Sequence, residues 1–232
     1  MPTGHQPPES SSAVVFDLDG VLIESEGVWI GAKRRLVTET GGAWREDATR
    51  AMLGMSSGEW SSYMHDELGV ALAPEEIDAR VVKLVMEDYR RELPLLPGAV
   101  AAVERLSERW PLSLASSSNR EVIDEVLALA GIADRFAVTV SSEEVARGKP
   151  APDVYLAAIA VLGVRPDAAV AIEDSANGLR SAAAAGLHVI AVPNREFPPG
   201  RDALNLAART LASIEELTAE TVASTLGARL PR

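Results

Sequence analysis

Short apolar runs recur along the chain, and polar or turn-forming residues close each of them. The first run, Ala13–Phe16, stops at Asp17. Four later runs share this pattern, at residues 112–115, 137–140, 168–172 and 188–192. Runs of this length are typical of strands that are buried on both faces of a parallel sheet. The pattern therefore predicts five strands of such a sheet.

Helical patterns alternate with these runs. Apolar residues recur at helical spacing in residues 120–130, 153–162 and 175–185, and Gly186 closes the last segment. The alternation indicates right-handed crossovers and a doubly wound parallel sheet of the α/β class. Such sheets bind ligands at the carboxyl ends of their strands. The polar residues that close the apolar runs fall at that edge.

One stretch interrupts the alternation. Between the first strand and Leu112 lie about ninety residues without a convincing strand. Helical patterns fill it at residues 28–40, 48–52, 58–68 and 74–92, and residues 93–98 resemble a return linker. An insertion that directly follows the first strand lies above the functional edge of the sheet, so it is a candidate cap or lid.

Composition and charge narrow the possible functions. The 232 residues include 22 Lys plus Arg against 34 Asp plus Glu, a formal net charge of −12. Because this field repels nucleic-acid backbones and anionic membranes, we expect neither as a partner. The lack of cysteine excludes disulfides, thiolate metal sites and cysteine nucleophiles. No long apolar seam is left over, so no obligate protein partner is indicated.

Paired carboxylates follow two of the predicted strands. Asp17 and Asp19 leave the first strand into a turn at Gly20, and Glu173 and Asp174 leave a later strand. Three or four carboxylate oxygens without Cys or His nearby favour a hard cation, and we expect Mg²⁺. The alternatives are a solvated turn for the first pair and helix N-terminal capping for the second.

Two further segments favour anion binding. Ser116–Asn119 follow a strand and precede a helix, where hydroxyls and free amides can bind an anion or merely cap the helix. Lys149 precedes Pro150, which restricts it to extended geometry. A lone lysine is usually a solvated surface charge. Here, however, the two carboxylate pairs, the serine segment and Lys149 follow one another along the chain, each at the end of a predicted strand or in its loop.

Together these residues resemble a known family. The segment Asp17-Leu18-Asp19-Gly20-Val21, Ser116, Lys149 and the pair Glu173-Asp174 look like the four motifs of the haloacid-dehalogenase-like superfamily. The helical insertion resembles its class with a helical-bundle cap. Residues 114–118 and 149–153 resemble the branch of sugar-phosphate phosphatases and β-phosphoglucomutases. The resemblance covers roughly residues 13–217.

The resemblance implies a domain division. Residues 13–23 and 96–232 would form a Rossmann-like catalytic core, and residues 24–95 the helical cap. Residues 1–12, rich in Pro and Ser, contain no apolar run that suits a signal peptide or membrane span. We expect them to be a disordered leader of a cytoplasmic protein.

The resemblance also implies catalytic roles. Asp17 would attack phosphorus and form an aspartyl-phosphate, while Asp19 would act first as general acid and then as general base. Ser116, assisted by the Ser117 amide, would bind the transferring phosphoryl group, and Lys149 would neutralise charge on it. The implied Mg²⁺ ligands are Asp17, Asp19, Asp174 and, directly or through water, Glu173.

Departures from family patterns separate its branches. Dehalogenases lack the second motif aspartate, so Asp19 argues against dehalogenation. Phosphonatases use a cap lysine in the loop around Gly54. The cap lysines here, Lys33 and Lys83, lie outside that loop, which argues against a phosphonatase. Mutases use a cap-loop arginine for a second phosphate, and Ser57 stands at that position.

The leading hypothesis is a Mg²⁺-dependent phosphatase of small phosphorylated metabolites, such as sugar or polyol phosphates. A β-phosphoglucomutase-like mutase remains an alternative because Arg50 could substitute for the missing arginine. A non-catalytic phosphometabolite-binding protein is another. The candidate substrate contacts in the cap are Arg50, Met55, Ser56 and Trp60. For Met55 and Trp60, ordinary packing within the cap explains the sequence equally well.

Overall fold

The computed structural model describes residues 12–52, 55–194 and 198–227. Nearly all of the predicted leader, residues 1–11, lies outside the described residues, as does Gly54. Within the described ranges, no helix combines the length and the apolar character that crossing a membrane requires.

A six-stranded parallel sheet forms the centre of the described fold, with the order β3-β2-β1-β4-β5-β6. The strands are β1 (Ala13–Phe16), β2 (Leu112–Ser116), β3 (Phe136–Ser141), β4 (Ala169–Glu173), β5 (His188–Ala191) and β6 (Arg209–Thr210). The predicted doubly wound α/β sheet is confirmed, and each of the five predicted strands agrees to within one residue at either end. The sixth strand was missed because two exposed residues carry no burial pattern.

Ten α-helices are found within the described residues. They are α1 (Glu26–Glu39), α2 (Ala48–Met52), α3 (Ser57–Asp66), α4 (Pro74–Arg91), α5 (Ala99–Ser107), α6 (Arg120–Leu129), α7 (Asp153–Leu162), α8 (Ala176–Ala184), α9 (Arg201–Leu204) and α10 (Ala219–Leu226). The helices α5, α9 and α10 were not predicted from the sequence. The helix α9 is a single turn, which is too short to show helical periodicity.

Four strands, β1, β2, β4 and β5, are buried on both faces, but the two faces of the sheet pack differently. In β1, Val14 and Phe16 face a core cluster that includes α5, α6 and α10, while Ala13 and Val15 face one that includes α7, α8 and α9. The second face is rich in small strand residues, namely Ala13, Ala115, Ala169, Ala171 and Ala191. Small side chains let helices approach the strands closely, which matters for the site described below.

The helices α1 to α4 form an insertion between β1 and β2, and α4 packs against both α1 and α3. The chain leaves and re-enters the core through two adjacent segments. The Glu24 amide donates to the Pro94 carbonyl (2.8 Å), and the Leu96 amide donates to the Leu22 carbonyl (3.0 Å). The four predicted helices are therefore present, while their behaviour as a separate cap domain stays a prediction.

Candidate active site

The topology creates a crevice beside β1. The chain order reverses at this strand, which pairs with β2 on one side and β4 on the other. Ligands bind at such switch points, outside the carboxyl ends of the strands. A cavity of about 710 Å³ opens there, lined by both the core and the helical insertion.

Three buried carboxylates converge at this edge. Asp17 directly follows β1. Glu173 is the last residue of β4, and Asp174 follows it. One oxygen from each of the three lies within 4.8 Å of the others. The turn at Gly20, with φ of +76°, makes this approach possible, because a Cβ atom there would lie 1.9 Å from the Asp174 Oδ2.

Lys149 is buried within this acidic cluster. Its Nζ donates to the Asp17 Oδ1 (2.7 Å) and to the Glu173 Oε1 (2.6 Å), and its side chain is 4% exposed. Burial alone would lower the pKa of Lys149, but the two carboxylates raise it above its usual value. The side chain is therefore a stable cation, not a solvated surface charge. The peptide bond to Pro150 is cis.

Glu173 accepts hydrogen bonds at both of its oxygens. Its Oε1 also accepts from the Tyr155 hydroxyl (2.8 Å). Its Oε2 accepts from the amides of Asp174 (3.0 Å) and Ser175 (3.2 Å) and from the Ser175 hydroxyl (3.2 Å). Because these donors occupy its oxygens, Glu173 is arranged to orient Lys149. Asp17 and Asp174 are then the carboxylates better placed to contact a cation directly.

The cluster has a deficit of positive charge. Burial raises the pKa of both Asp17 and Asp174, neighbouring carboxylates raise them further, and Lys149 only partly offsets this. A divalent cation would relieve the repulsion, and all of the available donors are hard oxygens. The residues present therefore fit a hard metal ion.

Asp19 lies at the same edge but faces the serine segment after β2. Its Oδ2 accepts from the Ser118 hydroxyl (2.6 Å) and the Ser116 hydroxyl (3.3 Å). Within the described residues, its buried Oδ1 has no hydrogen-bond partner. Ser116 is fully buried, whereas Ser117 and Ser118 line the cavity. The contact between Ser118 and Asp19 was not predicted from the sequence, although Ser118 lies in the serine run noted there.

The insertion contributes the opposite wall. All four candidate substrate contacts, Arg50, Met55, Ser56 and Trp60, line the cavity. Arg50 is exposed, while Trp60 is 4% exposed. The Ser56 hydroxyl donates to the Glu59 carboxylate (2.7 Å) at the start of α3, so it is engaged within the insertion.

Three further residues at or beside the site were not predicted as site residues. Tyr155 contacts Glu173 and places its ring 5.0 Å from the Lys149 Nζ. Trp29 and Lys33 line the cavity from α1. No local motif marks these three side chains, because their place in the site depends on how helices pack against distant strands.

The fold and this acidic edge define a class of hydrolase. Residues 12–186 match the family model of haloacid dehalogenase-like hydrolases, and the chain belongs to that family. The resemblance inferred from the four motifs is confirmed, and the protein is an enzyme.

Among known proteins, the chain is similar to hexitol phosphatase B of Escherichia coli K12, with 33% identity over 92% of this chain and 97% of the relative. It is also similar to the phosphorylated carbohydrates phosphatase of Thermotoga maritima, with 31% identity over 88% of this chain and 95% of the relative. Among solved structures, CbbY from Rhodobacter sphaeroides in complex with phosphate superposes with a TM-score of 0.82 at 26% identity. The match covers 92% of this chain and 100% of the CbbY chain.

We expect Tyr155→Phe to lower both activity and stability. The change removes one donor from the buried Glu173 Oε1 but keeps the ring beside Lys149. Loss of a hydrogen bond to a buried carboxylate costs about 1–3 kcal/mol. Urea unfolding and kcat measurements test this. Tyr63→Phe, a half-buried tyrosine of α3, is the control, and equal stability of the two variants would contradict the assignment.

Proposed function

We propose that this hydrolase is a Mg²⁺-dependent phosphatase of small phosphorylated metabolites, with sugar and polyol phosphates as the leading class. One observation carries the proposal: a buried Asp17 lies 2.7 Å from the Lys149 ammonium, beside Glu173 and Asp174, at the wall of a cavity. The names of the relatives support it, since one is a hexitol phosphatase and another a phosphatase of phosphorylated carbohydrates.

Asp17 acts as the nucleophile. One of its oxygens contacts Lys149, and its other oxygen attacks phosphorus in line with the leaving group. The bond between phosphorus and the leaving oxygen breaks as the bond to Asp17 forms, which gives an aspartyl-phosphate. A carboxylate nucleophile divides one difficult hydrolysis into two easier steps. Lys149 offsets the repulsion between the carboxylate and the anionic phosphate.

Asp19 moves the protons in both steps. It gives a proton to the leaving oxygen, and then accepts one from the water that attacks phosphorus, after which the bond to Asp17 breaks and phosphate leaves. Ser116 and Ser118 hold the Asp19 carboxylate in the observed structure. Ser117 lines the cavity, and its hydroxyl and amide would bind the transferring group.

Asp17 and Asp174 would hold Mg²⁺ directly, with the Asp19 carbonyl as a further ligand and Glu173 as support. Bound there, the ion would cancel charge on the equatorial phosphate oxygens. Residues 24–95 would act as the cap, because the cavity lies between them and the core. A cap at this position keeps bulk water from the reacting groups and contacts the leaving group.

We expect Asp17→Asn to abolish hydrolysis of p-nitrophenyl phosphate, with kcat falling by at least about three orders of magnitude. The amide is isosteric but is not a nucleophile, and Lys149 keeps its contact with Glu173. Phosphate release and circular dichroism of the same preparation test this. Retained turnover by a folded variant would contradict the nucleophile assignment.

Mg²⁺ should be required for activity and should also raise the melting temperature. An ion that binds only the folded state stabilises it, by about 2.7 kcal/mol at a hundredfold excess over Kd. Asp174→Asn should lose most of this thermal shift, whereas the exposed Asp134→Asn control should keep it. Full activity in EDTA, or an unchanged shift in Asp174→Asn, would contradict the proposed site.

Hydrolysis should exceed mutase activity. Ser57 lines the cavity at the position where mutases carry an arginine, so a bidentate partner for a second phosphate is lost there. With β-glucose 1-phosphate and a trace of the 1,6-bisphosphate, free phosphate should accumulate faster than glucose 6-phosphate. The reverse order would identify a mutase.

A further inference from the structure

Lys33 is an unusual side chain in the wall of the cavity. It lies on α1, is 9% exposed, and lines the same cavity as Asp17 and Lys149. Its Nζ lies 4.5 Å from the centre of the Trp60 ring and 5.7 Å from that of Trp29. Aromatic faces attract a cation, especially one removed from water. The two rings therefore hold the ammonium at the cavity wall.

No described carboxylate lies within ion-pair distance of the Lys33 ammonium, whereas Lys149 pairs with two. Burial lowers the pKa of Lys33 to about 8, although Glu26 and Asp78 act through space to raise it. Lys33 is thus still mainly protonated near neutral pH. Folding has removed most of its water, and the part of the chain that the structure describes supplies no hydrogen-bonded counterion.

Resting on the proposed phosphatase function, we propose that Lys33 binds a second anionic group, a carboxylate or a phosphate, on the leaving group of the substrate. An anion that contacts a poorly hydrated ammonium gains a charge-assisted hydrogen bond in a low local dielectric. Arg50 also lines the cavity but is exposed, so water screens its charge. Lys33 therefore selects bisphosphates and the phosphates of acidic sugars over the monophosphates of uncharged polyols.

Two matched pairs of esters test the proposal. The first compares 6-phosphogluconate with sorbitol 6-phosphate, which differ by one carboxylate, and the second compares fructose 1,6-bisphosphate with fructose 6-phosphate. In at least one pair, the kcat/KM of the wild type should favour the more anionic ester by about tenfold or more. The pair that shows this preference identifies the second group as carboxylate or phosphate.

Lys33→Met should reduce that preference by about tenfold or more, and Lys33→Arg should restore most of it. Lys83→Met is the matched control, because Lys83 is an exposed lysine of α4 in the same insertion. It should leave both ratios unchanged. Circular dichroism checks each fold, and Lys33→Gln replaces Lys33→Met if the latter does not fold.

Binding provides a readout that does not depend on turnover. Calorimetry with the inactive Asp17→Asn protein should show that adding Lys33→Met weakens binding of the preferred, more anionic ester more than binding of its less anionic counterpart. A wild-type preference near one in both pairs, or an equal loss for both esters in Lys33→Met, would overturn the proposal. If the wild type hydrolyses none of the esters, the phosphatase function itself fails instead.

Discussion

The ion pairs of Lys149 with Asp17 and Glu173 are the interaction on which the site depends. Removing one partner from a buried ion pair leaves an uncompensated charge and typically costs about 3–5 kcal/mol. Here the Lys149 Nζ lies 2.7 Å from the Asp17 Oδ1 and 2.6 Å from the Glu173 Oε1, and the carboxylate of Asp174 lies beside them. Its partners leave β1 and β4, so the pairs form only when these strands lie next to each other.

Close packing on one face of the sheet allows this arrangement. The alanines of that face admit α7 and α8, and α7 brings the Tyr155 hydroxyl to Glu173. In the first turn of α8, a Cβ atom on Gly178 would lie 1.7 Å from the Glu173 Oε1. The space for a buried carboxylate is therefore created by residues that contribute no charge. The other wall of the cavity belongs to the insertion, where Trp29 and Trp60 frame Lys33.

Within the described residues, short-range patterns were sufficient for five of the six strands and for seven of the ten α-helices. The run Ala13–Phe16 is a strand buried on both faces, as its unbroken apolar character predicts. The four helices of the insertion also follow from local periodicity, because burial of one helix face imposes a repeat that is visible within a few turns. The four motifs were local as well, and they were sufficient to identify the family. The two exposed residues of β6 carry no such pattern, so they could not be predicted.

Only the tertiary structure decided which atoms meet. Asp17 and Lys149 are 132 residues apart in the chain. No local pattern predicts that Tyr155 and Lys149 donate to the same oxygen of Glu173. The same holds for Lys33, which the sequence presents as one of three lysines and which packing places between two tryptophan rings at the cavity wall. Strand and helix patterns repeat over a few residues and can be recognised locally. Contacts between side chains on separate elements depend on crossovers, helix packing and rotamers, which exist only once the whole chain has folded.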